Sequence, residues 1–493
     1  MKMRYLLTVR ILIMLVLTIP FTGCESILEE EVFVDISANE FWQSDADAIT
    51  AVNAIYAKMR ADGSVTGGGG QQEGWGGFGY GESTIFNYSQ VQTDEMLVRW
   101  SGFNAFLNFT LTPSSYGNFG GLFSDLFEGI YIANNVLINI EGKPNISKEI
   151  QERVKGEALF GRALYYSQAL SLFGNIPKIT VPDPDPFNFP EQVAPDEIAQ
   201  LIREDLSAAA ALLPESYPPS DYGRFTKGAA FALLARVELN QKNWDAAIGA
   251  AREVLTLNYQ LSTDYASIFV IENQGNSEIL LSIPCLAQPG IGNTMIAHTA
   301  EPDYVTGSWG GHLIRNEFYD TFDPADNRRK HLIKNYTSVT GAAKTVTDGA
   351  IIAKYQPDPN RVGAYAGNDI VLHRLSEVYL TLAEALNEAN GPNQESIDLI
   401  NELRDRAFDN NISKRINLGD FATKESLRDH ILAERGWELF AENYRREDLI
   451  RHGKYVSRAI ERGVTAAKSF HVLYPIPQTE IDRNTKLKQN KGY

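Results

Sequence analysis

A chain of 493 residues with 44% hydrophobic and 11% aromatic content can bury a large core, which excludes an intrinsically disordered protein. The formal charge is −17, and so acidic a surface argues against nucleic acid, whose phosphates need clustered Lys and Arg. Only two cysteines occur, Cys24 and Cys285, with no CxxC or Cys/His cluster, so a disulfide framework and a structural zinc site are excluded.

The first residues read MKMRYLLTVRILIMLVLTIPFTGC: a basic start, a short apolar run over 11–19, then small residues before Cys24. That run is too short to span a bilayer and fits the core of a signal peptide over 1–23. Phe21-Thr22-Gly23-Cys24 looks like a bacterial lipobox, with Phe21 where Leu is usual, so Cys24 is the expected lipidated first residue of the mature protein. The alternative is an ordinary secretory signal with an incidental cysteine. Several acyl chains make an anchor stable where one gives only marginal binding. The acidic run 29–31 resembles signals that send some lipoproteins to the outer face of the outer membrane.

Beyond the anchor, residues 37–61 read as an amphipathic helix, with Ser37 as N-cap and Glu40 three residues on. Residues 63–81 are glycine-rich and carry Trp75, Phe78 and Tyr80. Gly74-Trp75-Gly76-Gly77-Phe78-Gly79 is a literal GxGxxG, but no strand precedes it and no helix follows, so a dinucleotide site is rejected in favour of a loop with exposed aromatics. Residues 91–100 end in Arg99-Trp100. Helical patterns follow at 122–140, 150–173 and 195–213, the second cut off by Gly174 and Pro177 and the third by Pro214.

Residues 223–257 give two short helices joined at 241–243. Phe231, Leu234, Ala235 and Leu239 form one apolar stripe; Ala247, Ile248, Ala251, Val254 and Leu255 form the other, and Trp244 closes the turn. This is the pattern of a tetratricopeptide helix pair, which cannot bury its apolar faces alone and so predicts further pairs. The period fails over 259–307, where 278–283 alternates like a strand and Tyr304 and Trp309 sit among loop residues. Residues 315–363 are also irregular. Helical pattern resumes over 371–390 and 397–407, with Tyr379, Leu382-Ala383 and Leu386 repeating the earlier slots, then over 424–441, before a non-helical tail over 473–493. The expected fold is mostly α: a tetratricopeptide-like helix-pair scaffold with long irregular loop insertions and a few short strands.

Several segments together resemble the SusD/RagB family of outer-membrane nutrient-binding lipoproteins. They include Arg162-Ala163-Leu164-Tyr165-Tyr166 with Gly174-Asn175-Ile176-Pro177, and Thr226-Lys227-Gly228-Ala229-Ala230 with Leu234-Ala235-Arg236. The most specific lie near the end: Glu434-Arg435, Glu438-Leu439, Glu442, Arg445 and Asp448-Leu449-Ile450-Arg451, then Tyr474-Pro475-Ile476-Pro477 and Leu487-Lys488-Gln489-Asn490. Arg446 and Glu447 stand where many members carry aromatics. The resemblance covers the mature chain and implies one domain over 24–493, with helix pairs roughly within 150–260 and 370–445 and loop-rich ligand regions roughly within 63–120 and 260–365. The charged residues of the late signature stand at i, i+3 and i+4, the spacing for opposite charges facing each other on a helix. They are expected to brace that helix against the tail and not to perform acid–base chemistry.

No HExxH, GxSxG, Walker or EF-hand pattern is present, and His312, His373 and His452 lack metal-ligand spacing. Carboxylates are too plentiful for a glycosidase pair to be picked out. Asp94-Glu95 and Asp323 with Asp326 could ligate calcium, although solvated loop charge is the simpler expectation. Binding through aromatic surfaces remains: a sugar's C–H face stacks on Trp or Tyr, and its hydroxyl rim needs polar partners. The candidates are Trp75, Phe78, Tyr80, Arg99, Trp100, Tyr304 and Trp309, of which Arg99-Trp100 and Tyr304 with Trp309 fall in the two loop regions that the resemblance implies for binding. The resemblance implies a non-catalytic protein that captures an oligo- or polysaccharide and delivers it to a partner TonB-dependent outer-membrane transporter. A helical-repeat scaffold for protein or peptide partners is the alternative, and a glycoside hydrolase a third reading. No metal or cofactor is expected.

Overall fold

Several helix starts in this chain are set by side chains that satisfy the first free backbone N–H groups. In the computed structural model, which describes residues 41–60, 84–115, 121–181, 185 and 188–493, Ser44 caps α1 (Asp45–Met59) by accepting from the Asp47 N–H. The helix therefore starts at Asp45, and the expected cap at Ser37 and Glu40 lies outside the described residues, as do Cys24, the signal segment, Trp75, Phe78 and Tyr80. Residues 44–493 pack as one unit. In it, α1 packs on α2 (Gly121–Ile140) and α3 (Lys148–Phe173). Gly161 of α3 faces Ile55, whose methyl occupies the space a Cβ would need, so the two helix backbones approach closely.

From α3 onward the helices alternate as stacked pairs. α3 packs on α4 (Pro195–Leu212), α5 (Lys227–Asn240) on α6 (Trp244–Leu255), and α7 (Leu375–Asn390) on α8 (Gln394–Ala407). α4 also packs on α5, and α6 on α7, so each pair covers the apolar face of the next. α9 (Lys424–Leu439) closes the array on α7. Small side chains make the approach possible: Ala235, Ala250, Ala251 and Ala383 share one buried cluster with Leu382, Leu386, Ile400 and Leu403. Trp244 packs against Leu239, Ala247 and Ala385 and closes the 241–243 turn as expected. Leu255, assigned to the buried stripe of α6, is exposed, because the buried face of that helix runs through Ala247, Ala250, Ala251 and Val254 and leaves Leu255 beside it. The fold is thus the mostly helical, tetratricopeptide-like scaffold that the sequence predicts.

The long segment between α6 and α7, read as irregular, holds more strand than expected. β1 (Met96–Val98), β3 (His312–Arg315), β5 (Gly349–Ile352) and β4 (Leu332–Ile333) form an antiparallel sheet in the order β1-β3-β5-β4. The strands are too short for a two-residue period to stand out in sequence. β2 (Ile279–Ile283) is the strand foreseen at 278–283, and it pairs antiparallel with β6 (Ile370–Arg374). Residues 371–374 are therefore strand, and α7 starts only at Leu375. β6 is buried along its whole length, so its continuous apolar run has no alternation to separate it from a helix. The tail carries a short helix, Gln478–Arg483, although otherwise extended.

A buried charge lattice fastens the insertion to the repeats. Five carboxylates (Glu278, Asp326, Glu434, Glu438, Glu442) face five cations (Arg328, Lys354, Arg374, Arg404, Arg406). Arg374, fully buried at the end of β6, donates to Glu278 at 2.9 Å, Glu438 at 2.6 Å and Glu442 at 2.7 Å. Burial alone would raise the Glu438 carboxyl, but Arg406, Arg374 and Arg328 more than offset it and hold the group well below the ordinary carboxylate range. Glu434 and Glu438 of the α9 signature therefore take their arginines from β6, α8 and residues 326–328, and Arg435 pairs with Asp448 at 2.8 Å, so they do not brace the helix against the tail. Arg446 reaches the tail instead: it lies over the Tyr455 and Tyr474 rings and donates to the Val472 carbonyl.

Candidate functional site

The pairing of β1 with β3 decides which loops meet. Val98 lies opposite His312, so the residues that leave β1, Arg99 and Trp100, run beside the residues that enter β3, Gly310 and Gly311. The Arg99 N–H donates to the Gly311 carbonyl at 2.9 Å. The Trp100 indole lies directly over Gly311, where any Cβ would collide with the ring, and Gly311 holds φ +140°. Only glycine accepts both conditions.

Trp309 is fixed from the other side. Its N–H donates to the Ala297 carbonyl at 2.7 Å, which seats it on the short helix Met295–Thr299. His298 of that helix is buried and touches both indoles edge-on, with ring centroids 4.9 Å from Trp309 and 5.6 Å from Trp100. His312 closes the group at 5.1 Å from Trp100 and 5.6 Å from His298. His298 Nδ1–H donates to the Thr294 carbonyl at 2.9 Å, and His312 Nε2–H donates to Asn87 Oδ1 at 2.9 Å. Burial pushes the His298 imidazole down to about 4 and drives His312 well below its ordinary value, so both rings are neutral at pH 7. An uncharged, packed base thus supports Trp309, which is 50% exposed.

Charge at this face is internally matched. Arg99 donates from Nε and Nη2 to the two oxygens of Asp348 at 2.7 and 2.6 Å, and from Nη1 to Glu301. The Asp348 hydrogen bond holds the guanidinium above its ordinary pKa, and burial is too slight to reverse that. Asp303 accepts from the Tyr336 hydroxyl at 2.6 Å and faces Lys344 at 3.7 Å, and the Tyr304 ring lies 5.1 Å from Tyr336. The result is a half-exposed aromatic surface with paired charges at its edge.

A profile described as "SusD family" matches residues 325–493, and one described as "Starch-binding associating with outer membrane" matches residues 83–239. The chain is 28% identical over 524 residues to SusD-like protein P25 of Formosa agariphila, covering 96% of this chain and 97% of that protein. It is 27% identical over 509 residues to the starch-binding protein SusD of Bacteroides thetaiotaomicron, covering 86% of this chain and 87% of SusD. The chain belongs to the SusD/RagB family. Its fold superposes on that of a laminarin-binding SusD-like protein with a TM-score of 0.75 at 24% identity, over 92% of this chain and 100% of the other.

In this SusD/RagB chain the structure brings Arg99, Trp100, Tyr304 and Trp309 to one face, while Trp75, Phe78 and Tyr80 lie outside the described residues. Arg99 arrives committed to two carboxylates, so it works as a strut between three loops. Sequence reasoning missed His298, Glu301, Tyr336 and Asp348, and weighed His312 only as a metal ligand. No motif links them, since they meet through strand pairing and loop packing. Asp94 and Glu95, offered as solvated loop charge, are neither solvated nor loosely held: Asp94 takes both Arg445 donors at 2.7 and 2.8 Å, and buried Glu95 accepts the Ala441 N–H at 2.6 Å. Asp323 pairs with Lys414 and Asp326 with Arg328, and no group of three potential metal ligands occurs among the described residues. Cys285 is buried and free.

Proposed function

We propose that this chain is a non-catalytic glycan-binding lipoprotein of the outer membrane. In this reading residues 1–23 are removed, lipidated Cys24 tethers a single domain facing the cell exterior, and the aromatic face takes an oligo- or polysaccharide. The protein then delivers that ligand to a partner TonB-dependent transporter docked on its helical side. The observation that carries the reading is the convergence of Trp100 and Trp309 on buried His298. Residues more than two hundred apart in sequence form one supported, half-exposed stacking surface, and paired charges at its edge suit hydroxyls better than ions. Relatives named for binding starch and laminarin support the same ligand class.

The test is affinity gel electrophoresis on polysaccharides with Trp100→Ala combined with Trp309→Ala. Retardation of the wild type should be lost in the double variant, with an unchanged circular dichroism spectrum. Unchanged retardation removes these two residues from the site, and new reducing ends in the wild-type incubation would favour the hydrolase reading instead.

One observation favours the second reading, a scaffold for peptide partners. A cavity of about 270 Å³ opens on the helical side, between Leu170, Ile202, Leu233, Val237 and Ile450. Capture of a peptide there, with no glycan bound on the opposite face, would replace the first reading.

A further inference from the structure

A second cavity, of about 420 Å³, is lined by Tyr304 and by neither Trp100 nor Trp309. That volume falls within the range of about 300–1,000 Å³ typical of small-molecule sites. Its floor is apolar, made by buried Ile296, Ala300, Ile351 and Ile352, with Val305 and Pro357 also in the lining. Its rim carries Tyr304, Asn327, Lys330, Gln356 and Asp409. The rim is already ordered on one side, because Lys330 Nζ donates to Asn327 Oδ1 at 2.6 Å and Asn327 Nδ2 donates to Asp409 Oδ1 at 2.8 Å.

Much of the rim's hydrogen-bonding capacity is unspent. An ammonium has three donors and Lys330 uses one. Asp409 Oδ2, the Tyr304 hydroxyl and the Gln356 side-chain amide carry no hydrogen bond among the described residues. Donors and acceptors therefore alternate around an apolar floor. A sugar ring has the complementary surface: C–H groups on its faces and, on its edge, hydroxyls that both give and accept hydrogen bonds. Burial keeps His331 below its ordinary value, so it adds no charge, and the described lining carries one cation, Lys330, with two carboxylates, Asp264 and Asp409. The cavity does not select an anion.

Tyr304 connects the two places. Its backbone N–H donates to the Glu301 carbonyl, and the Glu301 carboxylate takes Arg99 beside Trp100. We infer that the cavity behind Tyr304 is a second binding site for a neutral sugar unit of the same glycan that lies across Trp100 and Trp309. This rests on the glycan-binding reading above and adds to it a ligand long or branched enough to reach around Tyr304.

The experiment is affinity gel electrophoresis of the mature chain on laminarin, soluble starch, xyloglucan, galactomannan and arabinoxylan. Four proteins are compared: wild type, the Trp100→Ala/Trp309→Ala double variant, Lys330→Ala, and Val305→Trp, which fills the cavity. On any polysaccharide that retards the wild type, Lys330→Ala and Val305→Trp should each weaken apparent affinity about fivefold or more. Should both bind like wild type wherever the tryptophan variant does not, the cavity proposal is overturned and the aromatic face stands. Loss in the cavity variants with the tryptophan variant intact would support the cavity and remove the face. If no polysaccharide retards the wild type, the glycan reading and this inference fall together. Lys330 is exposed and its replacement spares the core, so it decides the matter even where Val305→Trp does not fold.

Discussion

His298 shows how one buried side chain can carry a surface property. It contacts Trp100 and Trp309 through its ring, and its own charge is suppressed by burial down to about pH 4. In the unfolded chain a histidine takes up its proton near pH 6.5, so between there and pH 4 the unfolded state binds more protons. The contribution to stability is therefore lost as pH falls through that window. Glycan affinity should stay flat from pH 8 to about 5.5, since the support under Trp309 does not change charge, and then collapse toward pH 4. His298→Ala should weaken binding about fivefold at pH 7 and shift tryptophan emission; a variant with wild-type affinity would show that the histidine plays no part in presenting Trp309. Glu95 has the opposite sign. Burial raises its carboxyl to about 8, against the pull of the Ala441 N–H and Arg445, while Asp94 pushes with the burial. The folded state then binds the extra proton above pH 4.5, and stability falls as pH rises toward 8. Glu95→Gln keeps an acceptor for Ala441, so urea midpoints measured at pH 5 and pH 7.5 should converge in the variant relative to wild type.

At the scale of elements, the charge lattice around Arg374 carries the argument. A buried ion pair is weak evidence for stability, but removal of one partner strands the others without compensation. Arg374→Met leaves Glu278, Glu438 and Glu442 one guanidinium short, and should cost about 3–5 kcal/mol in urea denaturation. A loss under about 1 kcal/mol would mean that the remaining cations redistribute. The same elements show what was legible in the chain. The α5–α6 pair and the repeat at α7 were readable, since a 3.6-residue period and small residues at fixed spacing are local properties. The lattice was not: Glu434 and Glu438 stand at i+4 spacing with Arg435 between them, which suggests self-pairing, yet their arginine partners come from 30 to 110 positions away. β6 was misread as the start of α7, because a strand buried on both faces loses the alternation that marks it. Arg446, whose guanidinium lies 5.2 Å over the Tyr474 ring, meets an aromatic partner that no local spacing points to.

At the scale of the whole molecule, the proposed function depends on a tether at Cys24. Cys24→Ala should move the protein from the membrane fraction to the soluble fraction and abolish labelling by radioactive palmitate; retention in the membrane would point to a different anchor. The helical architecture was carried by local sequence, because periodicity and capping residues act over a few residues. Tertiary structure alone decided which of the candidate side chains meet. The register of β1 on β3 placed Trp100 over Gly311 and next to Trp309, put His298 beneath them, and left a cavity behind Tyr304. The reason is that a strand pairing relates residues by spatial opposition, which no spacing along the chain records.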